Sequence, residues 1–364
     1  MKKKVKEDSL WEILALLEME KGLKPAVIEE AIKTALVSAY KKNYGNDVNV
    51  RIEFNEKTDA IDVFIDRVVV AEVSDPQVEI SLLEAQAQYP QAKIGDTISE
   101  KDEPKNFGRI AAQTAKQVIV QKLREAERGY VFKEFASRES DIVTGIVDRI
   151  DHGVCTVHLN NADGMLPATE QIPGEEILPG QRLKAYIVEV RNAPKGPQII
   201  LSRIHSDLLS RLFELEVPEI QDGYVEIKSV AREAGMRSKI AVYSADENID
   251  PVGSCVGPNG NRVRAVVEEL NGEKIDIINW DASADIYIAE SLSPSVVIDV
   301  LVDDEENKAI VVVPDDQLSL AIGKEGQNAR LAAKLTGWKI DIKSKTQADE
   351  QGVQYNYIFS DERP

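Results

Sequence analysis

Two stretches of this chain are copies of one another, and the repeat limits the architecture more than any other feature. Residues 256–278 read VGPNGNRVRAVVEELNGEKIDII, and residues 322–342 read IGKEGQNARLAAKLTGWKIDI. Gly257 and Gly323 are 66 positions apart, Gly272 and Gly337 only 65, so the second copy is one residue shorter within its helix. Each copy is expected to place a short helix (about 250–256 and about 315–322), then Gly-x-x-Gly, a second helix, and a strand carrying KIDI. A loop that joins two helices and presses its peptide N–H groups against phosphates needs residues without Cβ, and the N-terminus of the following helix adds partial positive charge. This singles out Gly257, Pro258, Asn259 and Gly260, and in the second copy Gly323, Lys324, Glu325 and Gly326. Arg264 and Arg330 fall at the same offset one turn into the second helix, where a guanidinium reaches a phosphate or a base edge. Arg262, Gln327 and Asn328 complete the candidate set. A lone Gly-x-x-Gly between helices is usually only a tight turn; two copies with matching helix, Leu-x-Gly end and strand reverse that weighing.

The rest of the chain sets the context. At 364 residues it exceeds what one core usually organises, so several domains are expected. In the first 45 residues Ser9 and Glu12 form a capping-box pattern before Leu10, Ile13, Leu14 and Leu17, and Pro25 opens a second helix with a stripe of Ile28, Ile32, Ala35, Leu36 and Ala39, closed by Gly45. Residues 48–54 and 60–73 alternate as strands around a turn at 56–59. A long amphipathic helix follows from about 107 to about 135, striped by Ile110, Ala111, Ala115, Val118 and Ile119. This is an α+β domain without an active-site pattern, best suited to docking on a protein. From Ser137 five short strands occur over about 65 residues, which suits a small closed barrel of the oligonucleotide-binding type.

Charge weighs on what such a chain binds. Net charge is −19, and the excess acid is uneven: residues 1–136 hold 21 Lys+Arg against 24 Asp+Glu, residues 137–364 hold 23 against 39. Affinity for a polyanion comes largely from Lys and Arg displacing counterions, so intrinsic RNA affinity is expected to be weak and to need a tethering partner. Aromatics make up 5%, too few for base stacking to be the main device. Cys155 and Cys255 stand without a CxxC or flanking His, which indicates buried thiols rather than a disulfide or zinc site. Asp303 to Glu306, Asp315 and Asp316 suit solvated turns and helix starts better than metal ligands. His152, His158 and His205 have no accompanying nucleophile motif, so no catalytic residue, metal or cofactor is expected. No apolar run is long enough to span a membrane, and Lys2, Lys3 and Lys4 lead into an amphipathic segment, so a cytoplasmic protein is expected.

TGIV, DGMLPATEQ, PGQRLKAYI and IILSR within residues 137–203 resemble an S1 RNA-binding domain, and the two repeats resemble bacterial-type KH domains, whose Gly-x-x-Gly loop clamps about four nucleotides by their backbone. The order, with the runs ELEVPEIQDGYVEIKSVAREAGMRSKIAVYS (214–244), IDPVGSCVGPNGNRV (249–263) and LAIGKEGQNARLAAKLTGW (320–338), resembles the NusA family of transcription termination and antitermination proteins over about residues 8–345. The resemblance implies a multidomain α+β chain: an N-terminal RNA polymerase-binding domain (1–136), a five-stranded S1 barrel (137–203), KH domains at 204–280 and 281–345, and a polar C-terminal tail (346–364). It also implies core RNA polymerase, nascent single-stranded RNA and other elongation factors as partners of a monomeric, non-enzymatic scaffold acting in pausing, termination and antitermination. Two departures stand out. Many relatives carry acidic helical repeats after the second KH unit, where about twenty polar residues stand here, so regulation by such repeats is expected to be absent. The first loop, GPNG, lacks the basic residue of GKEG, and the S1 strand GVCTVHL has no aromatic for stacking, which leaves His158, Arg262 and Arg264 as substitutes.

Polynucleotide phosphorylase also joins KH to S1, but in the opposite order and after large catalytic domains for which the first 136 residues are too few. A translation or ribosome-assembly factor built from the same modules predicts co-purification with ribosomal subunits instead of polymerase.

Overall fold

Ile28, Ile32, Leu36 and Tyr40 recur every fourth residue, and the helix that carries them (α1, Pro25–Tyr44) buries all four on one stripe. A fully buried Ile or Leu contributes about 1.5–3 kcal/mol relative to an exposed one, so this stripe dominates the first core. The structure is a computed structural model that describes residues 18–19, 24–44, 48–55, 60–104, 107–194 and 196–359. The expected Ser9–Glu12 cap, the closing Gly45 and the turn at 56–59 lie outside the described residues. The chain divides into two compact units, Met1–Tyr130 and Val131–Pro364.

In the first unit the hub is β2 (Ala60–Val70), antiparallel to β1 (Val50–Asn55) and β4 (Thr97–Asp102) and parallel to the short β3 (Glu79–Ser81). α1 covers this sheet together with Phe107, Ala111 and Ala115 from the start of the long helix α3 (Phe107–Ala136). The expected strands and long helix are present. The sequence reading did not include β3, β4 and the helix α2 (Leu82–Gln88), which a Ser81–Glu84 capping box opens. They enclose a small satellite core of Val69, Ile80, Ala85, Ala92 and Ile98.

The second unit begins with a closed five-stranded barrel in the order β5 (Ile142–Asp151), β6 (Val154–Leu159), β7 (Ala162–Leu166), β9 (Gly196–Ser202), β8 (Arg182–Ala193). Parallel pairing of Gly164 and Met165 with Ile199 and Ile200 closes it. Then the same topology occurs twice. The first copy runs α4 (Ser206–Glu216), the single turn α5 (Pro218–Gln221), β10 (Glu226–Glu233), β11 (Arg237–Tyr243), α6 (Pro251–Val256), α7 (Asn261–Glu269) and β12 (Lys274–Asn279). The second runs α8 (Ala284–Ser291), β13 (Asp299–Asp303), β14 (Lys308–Val313), α9 (Leu318–Ile322), α10 (Gln327–Thr336) and β15 (Lys339–Ser344). In both sheets the middle strand is antiparallel to the first and parallel to the third.

Two joints fix barrel and repeats together. Arg203, immediately after β9 and with 2% of its side chain exposed, donates to the Glu175 carboxylate (2.5 and 2.8 Å), Lys184 O (2.5 Å), Glu269 Oε1 (3.2 Å) and Glu269 O (2.7 Å). Ile172 and Tyr186 of the barrel share a core with Leu208, Leu212 and Phe213 of α4. Between the repeats, Ala231, Ala241 and Ile278 of the first repeat's sheet bury against Tyr287, Leu331 and Leu335 of the second repeat's helices. The residues after β15, expected as a polar tail, include a capped helix, α11 (Lys345–Glu350), and a segment that packs Val353, Tyr355 and Tyr357 against Ile298, Val312 and Ala348. Among the described residues no helix is long and apolar enough to cross a membrane.

Candidate nucleic-acid interface

Both Gly-x-x-Gly segments fold as helix–loop–helix corners with matching backbones. Gly257 (φ 73°, ψ 172°) and Gly323 (φ 76°, ψ 172°) end the short helices. Asn259 (φ 54°, ψ 24°) and Glu325 (φ 55°, ψ 25°) follow in the left-handed region, then Gly260 (φ 72°, ψ 20°) and Gly326 (φ 74°, ψ 15°). The glycines within a loop differ in purpose. A Cβ at Gly257 would lie 2.6 Å from Asn261 Oδ1 and 2.7 Å from Arg262 Cγ, and one at Gly323 would lie 2.8 Å from Asn328 N, so the first glycine lets the helices close on each other. A Cβ at Gly260 or Gly326 would meet nothing within 4 Å. The second glycine therefore supplies the left-handed turn and leaves bare backbone facing open space, the surface a sugar–phosphate strand needs.

The arginines brace these loops. Arg264 Nη2 donates to Asn259 O and Arg330 Nη1 to Glu325 O, each at 3.2 Å, so in both copies the guanidinium holds the carbonyl of the left-handed residue while the side chain stays exposed at the corner. Arg262 and Asn328, also equivalent in the repeat, turn the other way. Arg262 Nη1 donates to Ser254 O (2.5 Å) and to Glu219 Oε2 (2.8 Å). Asn328, 2% exposed, donates from Nδ2 to Leu292 O (2.9 Å), Ala321 O (3.1 Å) and Leu320 O (3.5 Å). Both peg the last carbonyls of the helix before the loop. The Nδ2 of Asn328 is thus occupied inside the protein while its Oδ1 is buried without a hydrogen-bond partner, and Arg262 is largely occupied.

The two corners differ electrostatically. The hollow at the first, about 540 Å³, is bordered by Glu219, Asn248, Asp250, Pro258 and Arg262. That at the second, about 390 Å³, lies between the repeats and is bordered by Met236, Arg237 and Lys274 of the first repeat and by Gly323, Lys324 and Gln327 of the second. Pro258 has no N–H to offer a phosphate, whereas Lys324 at the same position has both an N–H and an ammonium. On the barrel, His158 is exposed on β6 with Nδ1 3.0 Å from Asp163 Oδ1.

With this geometry in hand, comparison with known proteins is decisive. Family models match consecutively: the NusA N-terminal domain at residues 9–129, the S1 RNA binding domain at 137–203, the NusA-like first KH domain at 203–280 and the NusA-like second KH domain at 284–350. The transcription termination/antitermination protein NusA of Bacillus subtilis is 55% identical over 98% of this chain and 96% of its own length. The chain belongs to the NusA family. The NusA of Halalkalibacterium halodurans is likewise 55% identical, over 93% of this chain and 89% of that protein, and that of Thermus thermophilus 41% identical over 93% and 90%. Among solved structures, the N-terminal domain of NusA from B. subtilis is 51% identical, covering 32% of this chain and 93% of that one at a TM-score of 0.30.

Within this NusA-type arrangement, the residues that sequence reading did not single out are Glu233, Met236, Arg237 and Lys274, which the first repeat brings to the second loop. Their signal is faint in one dimension. Arg237 and Lys274 face each other only through the parallel register of β11 and β12, and Glu233 meets Arg330 across 97 residues.

Proposed function

We propose that this chain is a transcription elongation factor that docks on core RNA polymerase through its N-terminal domain (residues 1–136) and holds nascent single-stranded RNA on its S1 and KH surfaces. It acts there in pausing, termination and antitermination without catalysing a reaction. Modules at 137–203, 204–280 and 281–345 carry the RNA part, and the cytoplasm is the compartment where such a factor works. The observation that carries this reading is the pair of matching loops, each ending in a glycine with uncovered backbone, set in one block with the barrel. RNA contact is assigned to Gly257, Pro258, Asn259, Gly260 and Arg264, and to Gly323, Lys324, Glu325, Gly326, Gln327 and Arg330, with His158 on the barrel. Arg262 and Asn328 take positioning roles.

Acidity supports the polymerase part. With 23 Lys+Arg against 39 Asp+Glu over residues 137–364, the RNA-facing part engages RNA efficiently only at the high local concentration that tethering provides. The names of the relatives, transcription termination/antitermination proteins, agree with this. Affinity capture on core RNA polymerase tests it: the full chain is expected to be retained and residues 137–364 to pass through. Equal retention of the two would contradict the docking role of the first domain.

A further inference from the structure

The second loop is not simply a stronger version of the first, because an acid from the neighbouring repeat sits on it. Arg330 Nε and Nη2 donate to the two oxygens of Glu233 at 2.6 and 3.2 Å, and Gln327 Nε2, from the first residue of α10, donates to Glu233 Oε2 at 2.8 Å. Glu233 ends β10 of the first repeat and is mostly buried, whereas the Arg330 side chain is 47% exposed. The carboxylate thus takes the Nε–Nη2 edge of the guanidinium, the edge that binds a phosphate in bidentate fashion, and lies beside the N-terminal turn of a helix, which favours anions.

Arg330 does not need Glu233 for orientation. Its Nη1 is already braced on Glu325 O, and Arg264 keeps the equivalent brace on Asn259 O as its only hydrogen bond among the described residues. We propose that Glu233 is an internal phosphate surrogate that sets the RNA affinity of the second loop, an incoming phosphate taking over Arg330 by displacing it. The inference rests on the reading that these loops bind RNA. It makes the second loop a gated site, basic in its lining through Lys274 and Lys324, with Arg237 held by Asp276 and Arg330 neutralised by Glu233 until RNA arrives. Because the acid belongs to one repeat and the arginine to the other, RNA at the second loop exchanges a contact between repeats for one with the ligand.

The test uses the full chain and a labelled twelve-residue oligoadenylate RNA, with affinity measured by fluorescence anisotropy over a series of salt concentrations. Glu233→Gln keeps the shape and removes the charge. The pair is open to solvent on the arginine side, which limits its strength, so binding is expected to tighten only about two- to fivefold. The distinguishing readout is the salt dependence, whose slope is expected to steepen by up to about 0.7, because in the variant no displaced carboxylate takes up a cation when the phosphate binds Arg330. Arg330→Met in the Glu233→Gln background is expected to abolish both changes, and Glu305→Gln, which removes an acid from the exposed turn after β13, to reproduce neither. Weaker or unchanged binding by Glu233→Gln with the slope unaltered overturns the proposal, as does a gain that survives loss of Arg330. Gly260→Asp combined with Gly326→Asp keeps the parent reading separate: RNA binding lost there but unmoved by Glu233→Gln sinks the surrogate alone, while RNA binding unmoved in both sinks the loop assignment with it.

Discussion

At the scale of single residues, the two glycines of a loop are expected to respond differently to the same change. Gly326→Ala meets no atom within 4 Å and incurs only the left-handed backbone, about 1–2 kcal/mol. Gly323→Ala, at φ 76° and ψ 172° in a region essentially confined to glycine, carries a larger backbone cost and in addition puts a methyl 2.8 Å from the backbone nitrogen of Asn328, which opens the corner between α9 and α10. Urea denaturation should therefore rank Gly323→Ala as the more destabilising by at least about 1 kcal/mol; the reverse order would show that the second glycine, not the first, sets the closure. Burial likewise decides the behaviour of Cys255. Desolvation in the core beneath the first loop pushes its thiol up to about 12, so alkylation of the native chain at pH 8 is expected to leave Cys255 unmodified until the chain is unfolded. Modification at the rate of a free thiol would contradict that packing. The loop glycines and the paired arginines were legible in the sequence because a repeat exposes equivalent positions. The roles of Arg262 and Asn328 were not. A polar residue in a helix's first turn reads the same whether it points outward or folds back to hold the preceding helix's carbonyls.

At the scale of elements, the joints rest on buried charge, which no periodicity reveals. Arg203 links β9, the Glu175 loop and the end of α7, with its guanidinium bonded on every side. Removing one member of such a cluster leaves an uncompensated buried charge, so Arg203→Met is expected to cost about 3–5 kcal/mol in denaturant unfolding. Arg203→Lys is expected to recover only part of that, since an ammonium cannot reproduce the fork. Asp276 on β12 shows the same logic as a function of pH. Burial works to raise its carboxyl, but the bonds and charges of Arg237 (2.7 and 2.9 Å) and Lys239 (3.1 Å) outweigh it and hold the group below the ordinary carboxylate range. A folded-state value below the unfolded one means stability that is present above the unfolded value, about 3.9, and lost as the pH falls through the folded value. Asp276→Asn should therefore lower stability at neutral pH and flatten the decline below about pH 4, as measured by urea midpoints across that range. An unchanged acid limb would remove Asp276 from the account. Most strands and helices were legible beforehand, since hydrophobic alternation and helical stripes are local. Strands β3 and β4 were not, because β3 has only three residues and β4 (TISEKD) a single apolar one, Ile98, so neither shows alternation and each gains its meaning only by pairing with β2.

For the molecule as a whole, the faces that meet between the repeats were not legible in the sequence. Strand β12 ends at Asn279 and α8 begins at Ala284, too little chain for independent motion. The structure adds why the contact is specific. The sheet of the first repeat leaves Ala231, Ala241 and Ile278 uncovered by its own helices, and small residues there let Leu331 and Leu335, one turn apart on α10, approach with Tyr287. Ser229 Oγ (2.7 Å) and the Tyr287 hydroxyl (3.1 Å) both donate to Leu335 O, so the end of α10 is held by one group from each repeat. The same helix starts at the second loop and carries Arg330, so its register against the first sheet fixes where the second loop lies relative to the first. Leu335, 4% exposed, is the position at which this can be broken without touching either loop. Leu335→Asp buries an unpaired carboxylate at the contact, and the two repeats are expected to separate. In calorimetry of the full chain the transition of the second repeat should then split from that of the barrel and first repeat, and an RNA long enough to span both loops should lose most of its advantage over one that fills a single loop. If the transitions stay merged and the longer RNA keeps its advantage, the repeats are held by something other than this contact.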